Sequence, residues 1–97
     1  MSWLIATFKV QDGKQAEFEA VMNPLVEKVR AQEPGTLIYS LVKSKKDPTQ
    51  YLMVERYRSD DDRKAHGQTD YFKQAADKFM ALLAEPPQLN SLVDVSA

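Results

Sequence analysis

The sequence predicts an α+β fold in which helices cover one face of a four-stranded antiparallel sheet. Three observations lead to this prediction. The hydrophobic period switches between strand and helix values in the order strand, helix, strand, strand, one or two helices, strand. The predicted strands are apolar on both faces. The length of 97 residues fits one domain, residues 1–97, with no repeat or linker.

The first element is a strand over residues 3–11, where aromatic and branched side chains precede the turn signal Asp12-Gly13. One of its faces is wholly apolar, and the other is apolar for half its length. We therefore expect this strand to be covered on both sides.

The second element is a helix that begins near residue 14, because apolar side chains over residues 18–29 recur at helical spacing. Pro24 lies inside this apolar stripe, which predicts either a kink or a second helical segment capped by Asn23. The stripe keeps its phase through the proline, so one kinked helix is favoured. The helix ends at Glu33-Pro34-Gly35.

Residues 36–44 and 50–58 are predicted to form a hairpin, joined by a solvated turn that contains Asp47-Pro48. Ser59 then caps a short helix, whose first-turn aspartates complement the helix dipole and which ends at Gly67. The last helix opens at Thr69 and is ended by prolines 86 and 87. Residues 88–96 are assigned as the fourth strand, although their alternation is broken.

This order of elements matches the split βαβ, or ferredoxin-like, plan. Helices on one face of the sheet leave the other apolar face without a cover, and a second copy of the same sheet is the simplest partner. A chain of this length also has a modest core, which pairing would enlarge. We therefore expect a sheet-to-sheet homodimer.

The composition excludes several classes of function. The 13 basic and 14 acidic residues give a net charge of -1, which disfavours nucleic acid or an anionic membrane as the main partner. There is no cysteine, so thiol chemistry and cysteine metal sites are absent. Three consecutive aspartates on a helix cannot converge on one ion, so no metal site is expected. The N-terminus lacks a signal-peptide pattern, and the cytoplasm is the expected location.

Two side chains are candidates for acid–base chemistry. His66 is the only histidine, and imidazole is the side chain whose ordinary pKa lies near neutrality, so it is the candidate general base. The alternative is a solvated histidine at a helix C-terminus. Glu55 lies on a largely apolar strand face, where a carboxylate either pairs with a cation or projects into a cavity with a raised pKa.

Several motifs together resemble the antibiotic biosynthesis monooxygenase family. They are Glu33-Pro34-Gly35-Thr36 followed by Tyr39, the segment YLMVERY over residues 51–57, and Ala65-His66 followed by Thr69 and Phe72. The resemblance covers nearly the whole chain. It implies a ferredoxin-like domain that dimerises through its sheets into an α/β barrel, with the C-terminal strand reaching toward the partner subunit.

The resemblance also implies an activity. It points to a small cofactor-independent monooxygenase that oxidises a quinol or related electron-rich aromatic with molecular oxygen. In this interpretation His66 is the base, and Glu55 orients it or holds a substrate hydroxyl. The substrate-binding residues would be Tyr39, Tyr57 and Phe72 as pocket walls, with Tyr71 as a hydrogen-bond donor.

Other activities occur among similar proteins. The functional positions of haem-degrading relatives align with Ala6, His66 and about Ala76, and an alanine cannot ligate iron, so haem degradation is disfavoured. An isomerase of a small phosphorylated signal would need a cationic anchor, for which Arg56 and Arg58 are the nearby candidates. A non-catalytic dimer for small-molecule binding or detoxification is the remaining alternative.

Overall fold

A computed structural model describes residues 1–96, and it confirms the predicted α+β architecture. The four strands form one antiparallel sheet in the order β2-β3-β1-β4, which is the ferredoxin-like arrangement. The elements in chain order are β1 (Ser2–Lys9), α1 (Gln15–Gln32), β2 (Thr36–Lys43), β3 (Gln50–Tyr57), α2 (Asp60–Gly67), α3 (Asp70–Met80) and β4 (Gln88–Val93).

The helix α1 is a single helix that continues through Pro24, as the unbroken phase of its apolar stripe predicts. Its buried side chains pack against the face of the sheet whose alternate residues are buried in both β1 and β3. None of the helices formed by residues 1–96 is both long and apolar enough to cross a bilayer.

The core is centred on a group of packed aromatic rings. Phe18 of α1 is fully buried, and its ring centroid lies 4.9 Å from that of Tyr51, 5.5 Å from that of Phe8 and 6.4 Å from that of Phe79. These rings come from α1, β1, β3 and α3, so one cluster holds two helices against two strands of the sheet. Separations of this size are typical of aromatic packing.

Several elements end earlier than predicted. The last helix ends at Met80, well before the prolines, because the chain after it pairs with the end of the first strand. The Gln11 N–H donates to the Leu82 carbonyl, and the Ala84 N–H donates to the Lys9 carbonyl. Between them, Val10 and Leu83 form an isolated antiparallel β-bridge. This bridge also ends β1 earlier than predicted. The fourth strand stops at Val93, where its pairing with Ser2 ends.

The sheet face opposite the helices keeps contact with solvent. We call this surface the open face. The register places on it side chains that are half-buried or exposed, although most are apolar. They include Trp3, Ile5, Ile38, Val42, Leu52, Val54, Arg56 and Leu92. The strand β4 is exposed along its whole length. The open face is the surface through which the sequence analysis predicts pairing with a second copy of the chain.

Phe18→Ala tests the aromatic cluster. Removing a fully buried phenylalanine leaves a cavity, so we expect the free energy of unfolding to fall by about 3–5 kcal/mol in a denaturant titration. Val95→Ala is the control, since Val95 is 99% exposed and its truncation should change stability by less than about 0.5 kcal/mol. A loss at Phe18 no larger than at Val95 would contradict this account of the core.

Candidate active site

A cavity of about 350 Å³ lies between the helices and the sheet. Its wall is mostly apolar and aromatic, with a small number of polar side chains, as is usual for small-molecule sites. It is lined by Leu4, Ala6, Phe8, Met22, Tyr39, Met53, Glu55, Tyr57, Arg63, His66, Gly67, Phe72, Ala76, Phe79, Met80, Pro87 and Leu89. Five of the six residues singled out from the sequence are among them.

His66 lies in the last turn of α2 and is buried, with 5% of its surface exposed. The alternative of a solvated histidine is therefore wrong. Its ring centroid lies 4.7 Å from that of Phe72 and 5.0 Å from that of Tyr39, and 5.8 Å from that of Tyr57. The imidazole is thus held within an aromatic wall of the cavity.

The two ring nitrogens of His66 have different surroundings. Nδ1 lies 3.0 and 3.1 Å from the carboxylate oxygens of Glu33. Because an ionised carboxylate only accepts hydrogen bonds, Nδ1 carries the hydrogen, and Nε2 is the basic nitrogen of the neutral ring. Nε2 is buried and has no hydrogen-bond partner among residues 1–96. In this tautomer Nε2 is therefore the ring nitrogen with a free lone pair.

Glu33 is a functional candidate that sequence reasoning missed, because its motif was used there only to end a helix and to identify the family resemblance. Its carboxylate accepts from His66, from the Thr36 hydroxyl at 2.7 Å and from the Tyr71 hydroxyl. The α1 C-terminus positions it, with its own N–H donating to the Val29 carbonyl at 2.9 Å. The Glu33 side chain is 12% exposed. A carboxylate held by several donors has a fixed orientation, which orients the imidazole in turn.

The turn that carries Glu33 needs a glycine. A Cβ on Gly35 would lie 2.4 Å from the carboxyl group of Asp62 in the first turn of α2. The Gly35 carbonyl also accepts from the Arg58 N–H at 2.8 Å. The close approach of this turn to α2 brings the Glu33 carboxylate within reach of the histidine on the same helix.

Glu55 projects from β3 into the same cavity and is 5% exposed. It accepts a hydrogen bond from Tyr57 and forms no ion pair within 4.0 Å in the described part of the chain. Burial raises the pKa of Glu55 to about 7, against an ordinary value of 4.5. The sequence left two alternatives for Glu55, pairing with a cation or projecting into a cavity with a raised pKa. The structure shows the second.

The tyrosines differ in their relation to the cavity. Tyr39 and Tyr57 line it, and burial together with nearby Glu55 raises their pKa values, which keeps both phenols neutral. Tyr71 lies outside the lining and donates to Glu33 behind the histidine. Burial and this hydrogen bond raise the pKa of Tyr71 to about 12. Substrate binding by the predicted residues stays a prediction.

The cations proposed as anchors for an anionic substrate lie elsewhere. Arg56 is on the open face, where its guanidinium stacks 5.0 Å from the Trp3 ring. Arg58 is paired with Asp62 at 3.0 and 3.1 Å. Arg63 lines the cavity instead. Within residues 1–96, no group of three acidic or histidine side chains could hold a metal ion.

These features define a ferredoxin-like α+β domain with an aromatic cavity that contains a buried histidine and one buried carboxyl group, with a second carboxylate hydrogen-bonded to the histidine from outside the cavity lining. The sequence model of the family described as "Antibiotic biosynthesis monooxygenase" matches residues 1–78. The chain belongs to this family. The matched region includes Glu33 and all six predicted site residues.

Solved structures agree with this assignment. A candidate antibiotic biosynthesis monooxygenase from Caulobacter crescentus CB15 is 43% identical, with a TM-score of 0.94 over 98% of this chain and 90% of that chain. A candidate from Nitrosomonas europaea is 25% identical, with a TM-score of 0.93 over 99% and 100%. A Pseudomonas aeruginosa protein is 27% identical, with a TM-score of 0.88 over 98% and 94%. No curated protein matches significantly. The neighbours support a general monooxygenase-like role.

The buried carboxyl group predicts how stability changes with pH. With a folded pKa of about 7 and an ordinary value of 4.5, the folded state binds the Glu55 proton more tightly than the unfolded state. Stability is therefore lost as pH rises from about 4.5 to about 7. We expect Glu55→Gln to remove this loss and to gain up to about 3 kcal/mol relative to wild type at high pH.

Denaturant titrations at several pH values would measure this difference. Glu27→Gln is the matched control, because Glu27 is an exposed carboxylate on α1. If the two variants differ from wild type by the same amount at every pH, Glu55 does not have the raised pKa.

Proposed function

We propose that the protein is a monooxygenase that oxidises a quinol or related electron-rich aromatic with molecular oxygen and without a bound cofactor. The observation that carries this proposal is the buried, unpartnered Nε2 of His66 on the wall of an aromatic cavity. The cavity volume is at the small end of the range for small-molecule sites, about 300–1,000 Å³, which suits a one- or two-ring substrate.

The first step would be removal of a phenolic proton. His66 Nε2 accepts the proton, and Glu33 at 3.0 Å from Nδ1 stabilises the imidazolium that forms. Since the cavity wall is mostly apolar, only a few polar side chains of the protein would stabilise the imidazolium and the phenolate. The resulting phenolate is electron-rich and can be oxidised by oxygen.

The second step would use oxygen as both oxidant and reactant. The phenolate passes an electron to oxygen, a carbon–oxygen bond forms at the ring, and the oxygen–oxygen bond then breaks. His66 returns its proton to the peroxide before that bond breaks, and the hydrogen on the oxygenated ring carbon then leaves with the hydroxide as water. A quinol and one oxygen molecule give a hydroxyquinone and one water molecule, and the substrate supplies all four electrons. No external reductant is needed.

Glu55 would hold the substrate from a second side. Its pKa of about 7 means that near neutrality a large fraction is protonated and can donate a hydrogen bond to a ring oxygen. Tyr39, Tyr57 and Phe72 surround His66 and would stack against the ring. Ala76 also lines the cavity, and its methyl group offers no atom to ligate haem iron.

We also propose that two copies pair through the open face. The apolar side chains there keep contact with solvent in one chain, and Nε of Arg56 is buried without a hydrogen-bond partner in residues 1–96. A facing sheet would cover the apolar side chains and could supply an acceptor for Arg56.

Oxygen uptake with anaerobically reduced quinols tests the activity. We expect His66→Ala to lower kcat at least 100-fold, because a positioned general base contributes about 10²–10⁴. With oxygen-18 gas, one labelled atom should enter the product and one should enter water. Release of hydrogen peroxide with no labelled product, or wild-type turnover by His66→Ala, would overturn the proposal.

Glu33→Gln tests the positioning of the base. The amide keeps the shape of the side chain but removes the charge and adds a donor that competes with Nδ1–H. We expect kcat to fall about 10-fold or more with KM within about threefold. Side-chain nitrogen-15 shifts of His66 should change from one tautomer to a mixture. Unchanged shifts together with unchanged kcat would show that Glu33 does not position the histidine.

Val54→Asp tests the dimer, since Val54 lies on the open face opposite Ile5 and Ser40. Sedimentation should show a dimer for wild type and a monomer for the variant. Ala31→Asp adds the same charge at an exposed position of α1 and should remain dimeric. Circular dichroism checks that both variants are folded. A monomeric wild type, or a folded dimeric Val54→Asp, would contradict the proposed interface.

A further inference from the structure

Arg63 is placed at the edge of the cavity by the helix that carries the candidate base. It precedes His66 by three residues on α2, a spacing that puts both side chains on one face of a helix. It lines both the aromatic cavity and a more polar depression next to it, and it is the one arginine or lysine in the cavity wall formed by residues 1–96. A ligand in the cavity would therefore meet one fixed cation.

The charge of Arg63 is not neutralised by an ion pair. No carboxylate of residues 1–96 lies within 4.0 Å of its guanidinium, whereas Arg58 pairs with Asp62 and Arg56 with Asp94. Its one hydrogen bond in the described chain is from Nη1 to the Ser91 hydroxyl at 3.1 Å. Since a guanidinium has five N–H donors, most of them remain available.

The surroundings favour one kind of anion. A guanidinium binds a carboxylate through two parallel hydrogen bonds, and the flat aromatic walls suit a carboxylate conjugated with a ring. Glu55 lies in the same cavity, and its ionised fraction would repel a dianion more than a monoanion. Side chains three residues apart on a helix start about 5–6 Å from each other, which is close to the width of a substituted ring.

We propose that Arg63 binds a carboxylate on the aromatic substrate, and that the substrate class is therefore carboxylated quinols. The quinol part of this proposal rests on the proposed function. The carboxylate pairs with the guanidinium at the cavity edge, while a ring hydroxyl lies against Nε2 of His66. Arg63 is thus a specificity-determining residue that orients the ring relative to the base.

Anaerobic calorimetry with two matched probes tests the proposal. The probes are hydroquinone and gentisate, which is hydroquinone carrying one ring carboxylate. We expect wild type to bind gentisate at least 10-fold more tightly. Arg63→Met should weaken gentisate binding about 10–100-fold, as expected for a charge-assisted contact, and change hydroquinone binding less than about twofold. Arg63→Lys should lie between the two, because an ammonium lacks the bidentate geometry.

A neighbouring cation provides the control. Lys64 lines the adjacent depression but not the cavity, so Lys64→Met should change gentisate binding less than about threefold. Equal binding of the two probes by wild type, or equal losses of gentisate binding in Arg63→Met and Lys64→Met, would overturn the assignment. Tighter binding of phenyl phosphate than of benzoate would overturn the choice of carboxylate.

Binding without oxygen keeps this result separate from the proposed activity. If gentisate binding depends on Arg63 but no quinol causes oxygen uptake, the anion site stands and the monooxygenase proposal fails. If hydroquinone is oxygenated in a His66-dependent way but gentisate has no advantage, the proposed function stands and the role of Arg63 fails.

Discussion

The contact between Glu33 and His66 is the interaction on which the site depends. It joins the end of α1 to the end of α2, and the other donors to the same carboxylate come from β2 and α3. Four elements therefore meet at one carboxyl group, which is largely shielded from solvent. Removing a single partner from such a network leaves a shielded polar group unsatisfied, so the network holds these elements in one arrangement. The same contact selects the tautomer that leaves Nε2 basic.

The register of the sheet separates the residues of the cavity wall from those of the open face. Along β3, Met53, Glu55 and Tyr57 face the helices, whereas Val54 and Arg56 face the other way. A slip of one residue would exchange the two faces and put Val54 or Arg56 where the carboxyl group of Glu55 now lies. The pairing of β3 with both β1 and β2 fixes this register. One eight-residue strand thus supplies a cavity wall on one side and part of the largely apolar open face on the other.

Local patterns in the sequence predicted the helices and strands. Residue type and position identified His66 and Glu55 as candidates, because a lone histidine and a carboxyl group on an apolar strand are conspicuous. Glu33 could not be found in this way, since it lies 33 residues from the histidine and also ends a helix. The cationic candidates failed for a related reason: strand alternation turns Arg56 away, and Asp62 engages Arg58. Phe72 lines the cavity and Tyr71 does not, because successive helical residues point about 100° apart.

The proposed reaction requires the two carboxyl groups near His66 to stabilise a newly formed pair of charges. Transfer of a proton from substrate to His66 creates an imidazolium and a phenolate in a mostly apolar cavity. Glu33 already faces Nδ1, so the new cation has an anion on one side and the phenolate on the other. A second carboxylate beside the phenolate would oppose this separation, yet burial holds the pKa of Glu55 near 7, where its neutral form is available. The raised pKa of one carboxyl group and the saturated hydrogen bonding of the other therefore suit opposite tasks. Glu55 can remain neutral near the substrate, and Glu33 contacts the base from the side opposite Nε2.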